Sequence, residues 1–63
     1  MNSRKLPGWL PNRLMTVREV AEVLRCSERQ VRRFISDDRL SVSRLGRRLL
    51  IKPESIVELL EHD

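Results

Sequence analysis

A chain of 63 residues can close over one small core and leaves no room for a scaffold that also carries a catalytic cleft. Thirteen Lys and Arg against nine Asp and Glu give a formal charge of +4, and all but two of the basic residues are arginine, the side chain that forks phosphate and guanine edges. The single Cys26 rules out an internal disulfide and a cysteine-built metal site, and no apolar run reaches the ~18 residues of a membrane span or forms a signal peptide.

Charge is spread unevenly along the chain. Residues 1–24 carry a net +2, residues 25–52 a net +6 and residues 53–63 a net −4. The middle is the basic part and the tail is acidic. A cytoplasmic protein without cofactors is the expectation, and in a bacterial host a nucleoid-associated one.

The first stretch, MNSRKLPGWLPNRLM, holds two of the three prolines, one of the two glycines and the only tryptophan, which argues for an irregular segment. We divide the chain into an arm over residues 1–13 and a domain over 14–63. Trp9, Leu10 and Leu14 are expected to fasten the arm to the domain.

From Thr16 the pattern turns helical. TVRE is a capping box, in which the Thr16 hydroxyl accepts a backbone N–H and Glu19 reaches back to the cap. Val17, Val20, Ala21 and Leu24 follow at i, i+3, i+4 and i+7, which predicts a first helix from Val17 to Leu24 or Arg25. Ser27 and Gln30 suggest a second capping box, and Val31, Phe34 and Ile35 mark the inward side of a second helix. About three residues lie between the two helices, so they must cross steeply, as in a helix-turn-helix. Cys26 reads as a small buried residue of that turn.

LSVSRLGRRLLI is expected to form a two-stranded hairpin with its tip around residues 45–47. Pro53 and Glu54 then suit the first turn of a third helix. Its Ile56, Val57, Leu59 and Leu60 are expected to face inward, with Glu54, Glu58 and Glu61 forming an acidic outer face.

On the second helix the spacing of about 100° per residue puts Arg29, Arg33 and Ser36 opposite the apolar side, with Gln30 and Arg32 flanking them. A charged outer face is what any surface helix shows. Here, however, the face reads as one sign, without acidic partners at i,i+4, and the free donors at the helix N-terminus project beside Arg29. Arg44, Arg47 and Arg48 supply a second basic prong on the hairpin. A helix about 10–12 Å wide fits the DNA major groove, and an arginine-tipped loop fits the narrower minor groove. Double-stranded DNA is therefore the expected partner. The competing reading leaves the arginines in solvent, or pairs Arg29 and Arg33 with Asp37 or Asp38.

No catalytic or metal-binding residues are expected. Asp37 and Asp38 have no acid-base partner, and His62 stands beside Glu61 and Asp63 at the chain end. The expectation is a protein that is not an enzyme.

In LMTVREVAEVL, CSERQVRRFI, VSRLGRRLLI and PESIVELL the chain resembles the excisionase-like, MerR-related winged helix-turn-helix domains of phages and other mobile elements. The likeness runs from Leu14 to about Leu60, with Ala21 and Val31 ten apart as in such motifs. It implies a mainly α fold of three helices plus a two-stranded wing. It also implies DNA contacts from Ser27, Arg29, Gln30, Arg32 and Arg33 on the recognition helix and from Arg44, Gly46, Arg47 and Arg48 on the wing. Arg25 stands where relatives often have glycine. Leu50 occupies a wing position that is frequently polar, where it could pack against the Trp9 arm or meet another protomer.

Members of that group include recombination directionality factors, which bind and bend attachment-site DNA and steer an integrase toward excision. A cognate integrase and head-to-tail self-association through the acidic tail would then be further partners. Two alternatives stand beside this: a small transcriptional regulator acting at a promoter, and a protein-interaction adaptor that uses the basic face.

Overall fold

The computed structural model describes residues 6–61. Three helices and one hairpin follow in the order α1 (Val17–Leu24), α2 (Glu28–Ser36), β1 (Val42–Leu45), β2 (Arg48–Ile51) and α3 (Pro53–Glu61). This is the expected winged helix-turn-helix arrangement.

The start of α1 forms as the residues dictate. The Thr16 hydroxyl accepts from the Glu19 N–H at 3.1 Å, and the Glu19 carboxylate accepts from the Thr16 N–H at 2.9 Å. The second capping box is only half made. Ser27 accepts from the Gln30 N–H at 3.0 Å, but no bond returns from the Gln30 side chain to the cap. A neutral amide gains less than a carboxylate from reaching back to that N–H.

Both helices of the motif end alike. The Cys26 N–H donates to Ala21 at 2.9 Å and the Arg25 N–H to Glu22 at 3.3 Å, while Arg39 donates to Phe34 at 2.8 Å and Asp38 to Ile35 at 3.0 Å. Each pair is a Schellman closure, and each needs one left-handed residue. Arg25 takes that conformation at φ 56° and Asp38 at φ 63°. Arg25 thus performs the turn commonly given to glycine. Residues 25–27 are all that separates α1 from α2, and the helices cross with Ala21 and Val31 buried between them.

The core is built from Leu10, Met15, Val17, Val20, Ala21, Val31, Leu40, Ile51, Ile56 and Leu59. Phe34, Ile35 and Cys26 are half-buried at its edge, so Val31 alone carries the fully inward side of α2. Cys26 is therefore less enclosed than expected. Leu40, absent from the sequence-based core, is drawn in by the closure after α2.

The N-terminal segment differs from expectation in its anchor. The Leu10 N–H donates to Pro7 at 3.0 Å, closing a turn that puts Leu10 in the core and leaves Trp9 56% exposed. Leu14 is half-buried and outside the core cluster. Residue 15 does most of the fastening. Met15 and Ile51 exchange both backbone bonds, at 3.0 and 2.7 Å, so the chain before α1 pairs with the end of β2. Residues 1–5 lie outside the described part.

In the hairpin Val42 pairs with Ile51, Ser43 with Leu50, Arg44 with Leu49 and Leu45 with Arg48. The turn is two residues long, Gly46 and Arg47, with φ 61° at the glycine and no positive φ at the arginine, the pattern of a type II′ turn. In α3 the buried residues are Pro53, Ser55, Ile56 and Leu59. Leu60, expected inside, is 49% exposed. It shares the side of Ile56 but stands about 6 Å further along the axis, where the helix end overruns the core.

Candidate nucleic-acid interface

Arg29 and Arg33 lie on the side of α2 away from Val31, with Arg32 on its flank. Arg29, Arg32 and Arg33 are exposed, Ser27 is exposed at the cap, and Gln30 is half-buried between the charged and apolar sides. Arg29 and Arg33 are one helical turn apart and share a face. Neither forms an ion pair with Asp37, Asp38 or another acid among the described residues. The intramolecular pairing weighed above is therefore not made.

One expectation fails on this face. Glu28 sits four residues before Arg32 and approaches it at 3.7 Å, so α2 does carry an acidic i,i+4 partner. The spacing was visible in ERQVR. Both side chains are about half exposed or more, and such a pair contributes only a few tenths of a kcal/mol. It occupies Arg32 loosely and leaves Arg29 and Arg33 untouched.

The hairpin distributes its charge differently from a single patch. Alternation along the strands puts Arg44 on the same face as Val42, Leu49 and Ile51, and Arg48 on the other with Ser43, Leu45 and Leu50. Arg47 occupies the turn. The three arginines therefore surround the tip, and all are exposed with no acidic partner among the described residues. Gly46 supplies the left-handed turn, and a Cβ there would meet nothing within 4 Å. Leu50 is half-buried opposite Ser43 and outside the core cluster.

The remaining charged side chains with partners lie off this face. Arg13 grips Glu19 at 2.6 and 3.1 Å while Glu19 holds the Thr16 cap, and this double engagement, with the Arg13 contact leading, lowers the Glu19 pKa to about 2. Arg18 and Glu22 stand 4.0 Å apart on the surface of α1. Arg39 lies 5.5 Å from the centre of the Phe34 ring, brought back over it by the closure that ends α2. Sequence reasoning passed over Arg39. Its signal was the left-handed turn that follows Phe34 by four residues. His62, at the chain end, lies outside the described residues, and no helix among them is long and apolar enough to cross a membrane.

Two helices joined by a three-residue turn, an arginine-bearing second helix and an arginine-tipped hairpin are thus in place. The sequence model of a helix-turn-helix domain family matches residues 14–63. The chain belongs to that helix-turn-helix family. Membership supports DNA as the partner and a binding role rather than an enzymatic one. No curated protein and no solved structure matches the chain. Within the helix-turn-helix framework α2 stands in the position of the recognition helix and β1–β2 in that of the wing.

Proposed function

We propose that this helix-turn-helix protein binds duplex DNA with α2 in the major groove and the hairpin tip in the flanking minor groove. Arg29, Arg33, Gln30 and Arg32 face the base edges, with Ser27 and the first-turn N–H groups at a phosphate. Arg44 and Arg48, on opposite faces of the hairpin, reach the two phosphate ridges on either side of Arg47 and the Gly46 turn. The observation that carries the reading is the set Arg29, Arg33, Arg44, Arg47 and Arg48, none of which is neutralised by an acid of the described chain although acids are plentiful elsewhere. Five exposed arginines gathered on the second helix and the hairpin tip, without acidic partners among the described residues, make the charge pattern that suits a polyanion.

The finer role is that of an architectural factor of the excisionase type, which binds attachment-site DNA, bends it and directs a cognate integrase toward excision. It rests on the resemblance of the first helix, the recognition helix and the wing. A domain of this size offers few base contacts, so occupancy of repeated sites supplies the affinity and the bend.

Arg33→Ala and Arg47→Ala separate the two prongs. Each is expected to keep the far-ultraviolet circular dichroism and melting of the wild type while weakening gel-shift affinity by about 10-fold, in line with loss of ~1–3 kcal/mol per specific contact. Wild-type affinity in both variants refutes the interface. An excision assay with integrase and attachment-site DNA tests the finer role, which fails if the protein binds those sites and leaves excision unchanged.

A further inference from the structure

The ends of α1, α2 and α3 leave a hollow of about 240 Å³ lined by Leu24, Cys26, Phe34, Leu59, Leu60 and Arg39, and by none of the arginines assigned to DNA. It adjoins a second depression that shares Arg39 and Leu59 and is edged by Asp38 and Glu58. The floor is apolar. Leu60, 49% exposed, stands as a knob on its lip. The rim carries both signs, and yet Arg39 forms no ion pair with Asp38 or Glu58 across it among the described residues. The Arg39 guanidinium rests over the Phe34 ring instead, and Glu58 is exposed to solvent.

We propose that this groove is the interface with a second copy of the chain, arranged about a two-fold axis. In that arrangement Leu60 of each copy fills the hollow of the other, and Arg39 of each meets Glu58 of the other. An apolar hollow with an exposed leucine on its lip and both charge signs on its rim offers each feature that an isologous interface must pair with its own copy. The hollow exceeds the volume of a leucine side chain. A uniformly acidic or basic partner would meet like charge at Glu58 or at Arg39. Docking of acidic α3 onto the basic hairpin of a neighbour is the competing mode, and it would cover Arg44, Arg47 and Arg48. The two-fold mode uses none of those residues, so it leaves them available, and it holds whether or not they meet DNA. The groove is small, so the association is weak, and the two-fold arrangement closes it as a dimer instead of letting it grow into a filament.

Sedimentation equilibrium without DNA reads this directly. The wild-type mass is expected to rise toward twice that of the monomer, with a dissociation constant on the order of 10–100 µM. Leu60→Glu, a change at an exposed position, weakens self-association by ~10-fold or more. Arg39→Glu and Glu58→Arg each do the same, and the double variant returns to within ~3-fold of wild type, because each reversed charge again faces its opposite. Cys26 provides an independent probe, since its alkylation slows by ~5-fold over the concentrations where the dimer forms. A monomer at every concentration overturns the proposal. So does a dimer indifferent to Leu60→Glu, failure of the double variant to recover, or protection of Cys26 that appears only when a different protein is added. Gel shifts on a single-site duplex, expected within ~2-fold of wild type for Leu60→Glu, keep failure of DNA binding distinct from failure of the interface.

Discussion

Among the described residues, Arg25, Asp38 and Gly46 hold the backbone in the left-handed region, and they differ in what that costs. Arg25 sits at φ 56°, Asp38 at φ 63° and Gly46 at φ 61°. A residue with an unbranched polar stem carries a strain of about 1–2 kcal/mol there, aspartate less because its short side chain bonds locally, and glycine none. Glycine in turn makes the unfolded chain freer, which offsets part of the gain. Arg25→Gly is therefore expected to stabilise the domain by about 0.5–1 kcal/mol, and Asp38→Gly by less. Gly46→Ala should lower stability by about 1 kcal/mol although the added Cβ meets nothing within 4 Å, so that cost is purely conformational. Thermal melts resolve these changes, at roughly 4–8 °C per kcal/mol for a domain of this size. Destabilisation by Arg25→Gly would mean that the arginine side chain makes a contact worth more than the turn costs.

Among the elements, α1 is held at its N-terminus by a clasp whose strength depends on pH. Glu19 accepts from the Thr16 N–H and from Arg13, so its folded pKa falls to about 2 from an ordinary 4.5. A depressed carboxylate stabilises the fold in full above its unfolded pKa, and that contribution is lost as pH falls through the folded one. Between about pH 4.5 and 2 the wild type should therefore lose stability, and Glu19→Gln, less stable at neutral pH, should lose less over the same range. Urea titrations at a series of pH values check this; equal slopes would remove Glu19 from the acid response. That clasp also marks the limit of what local sequence reveals. TVRE announces the cap because its partners are three residues apart, and the spans of α1, α2, the hairpin and α3 are legible for the same reason. The Arg13 contact, the Met15–Ile51 bridge and the burial of Leu40 depend on how distant segments meet. No periodicity encodes them. The sequence marks Trp9 as an anchor of the arm and Leu60 as part of the inward side of α3, but a closed turn and an overrunning helix end put them at the surface.

For the molecule as a whole, the decisive quantity is which charges remain uncommitted once the chain has folded. Net charge was readable from composition, but the division between paired and unpaired arginines was not. Arg13 is spent on Glu19 and Arg39 lies over Phe34, whereas Arg29, Arg33, Arg44, Arg47 and Arg48 have no acidic partner among the described residues. The face of α2 is not of one sign, because Glu28 reaches Arg32. A DNA complex that uses those five arginines on phosphates displaces counterions in proportion. The logarithm of affinity should then fall with the logarithm of salt concentration at a slope of about −4 to −5, or less steeply where an arginine reads a base instead. Arg47→Ala should flatten that slope by about one, and Arg18→Ala should leave it unchanged although both remove one positive charge. The comparison separates contact from overall charge. Arg18 projects from α1 beside Glu22, so its loss alters only the long-range field, which at physiological ionic strength is screened within about 8 Å. If both variants flatten the slope equally, binding follows net charge and the two-pronged interface has no special standing.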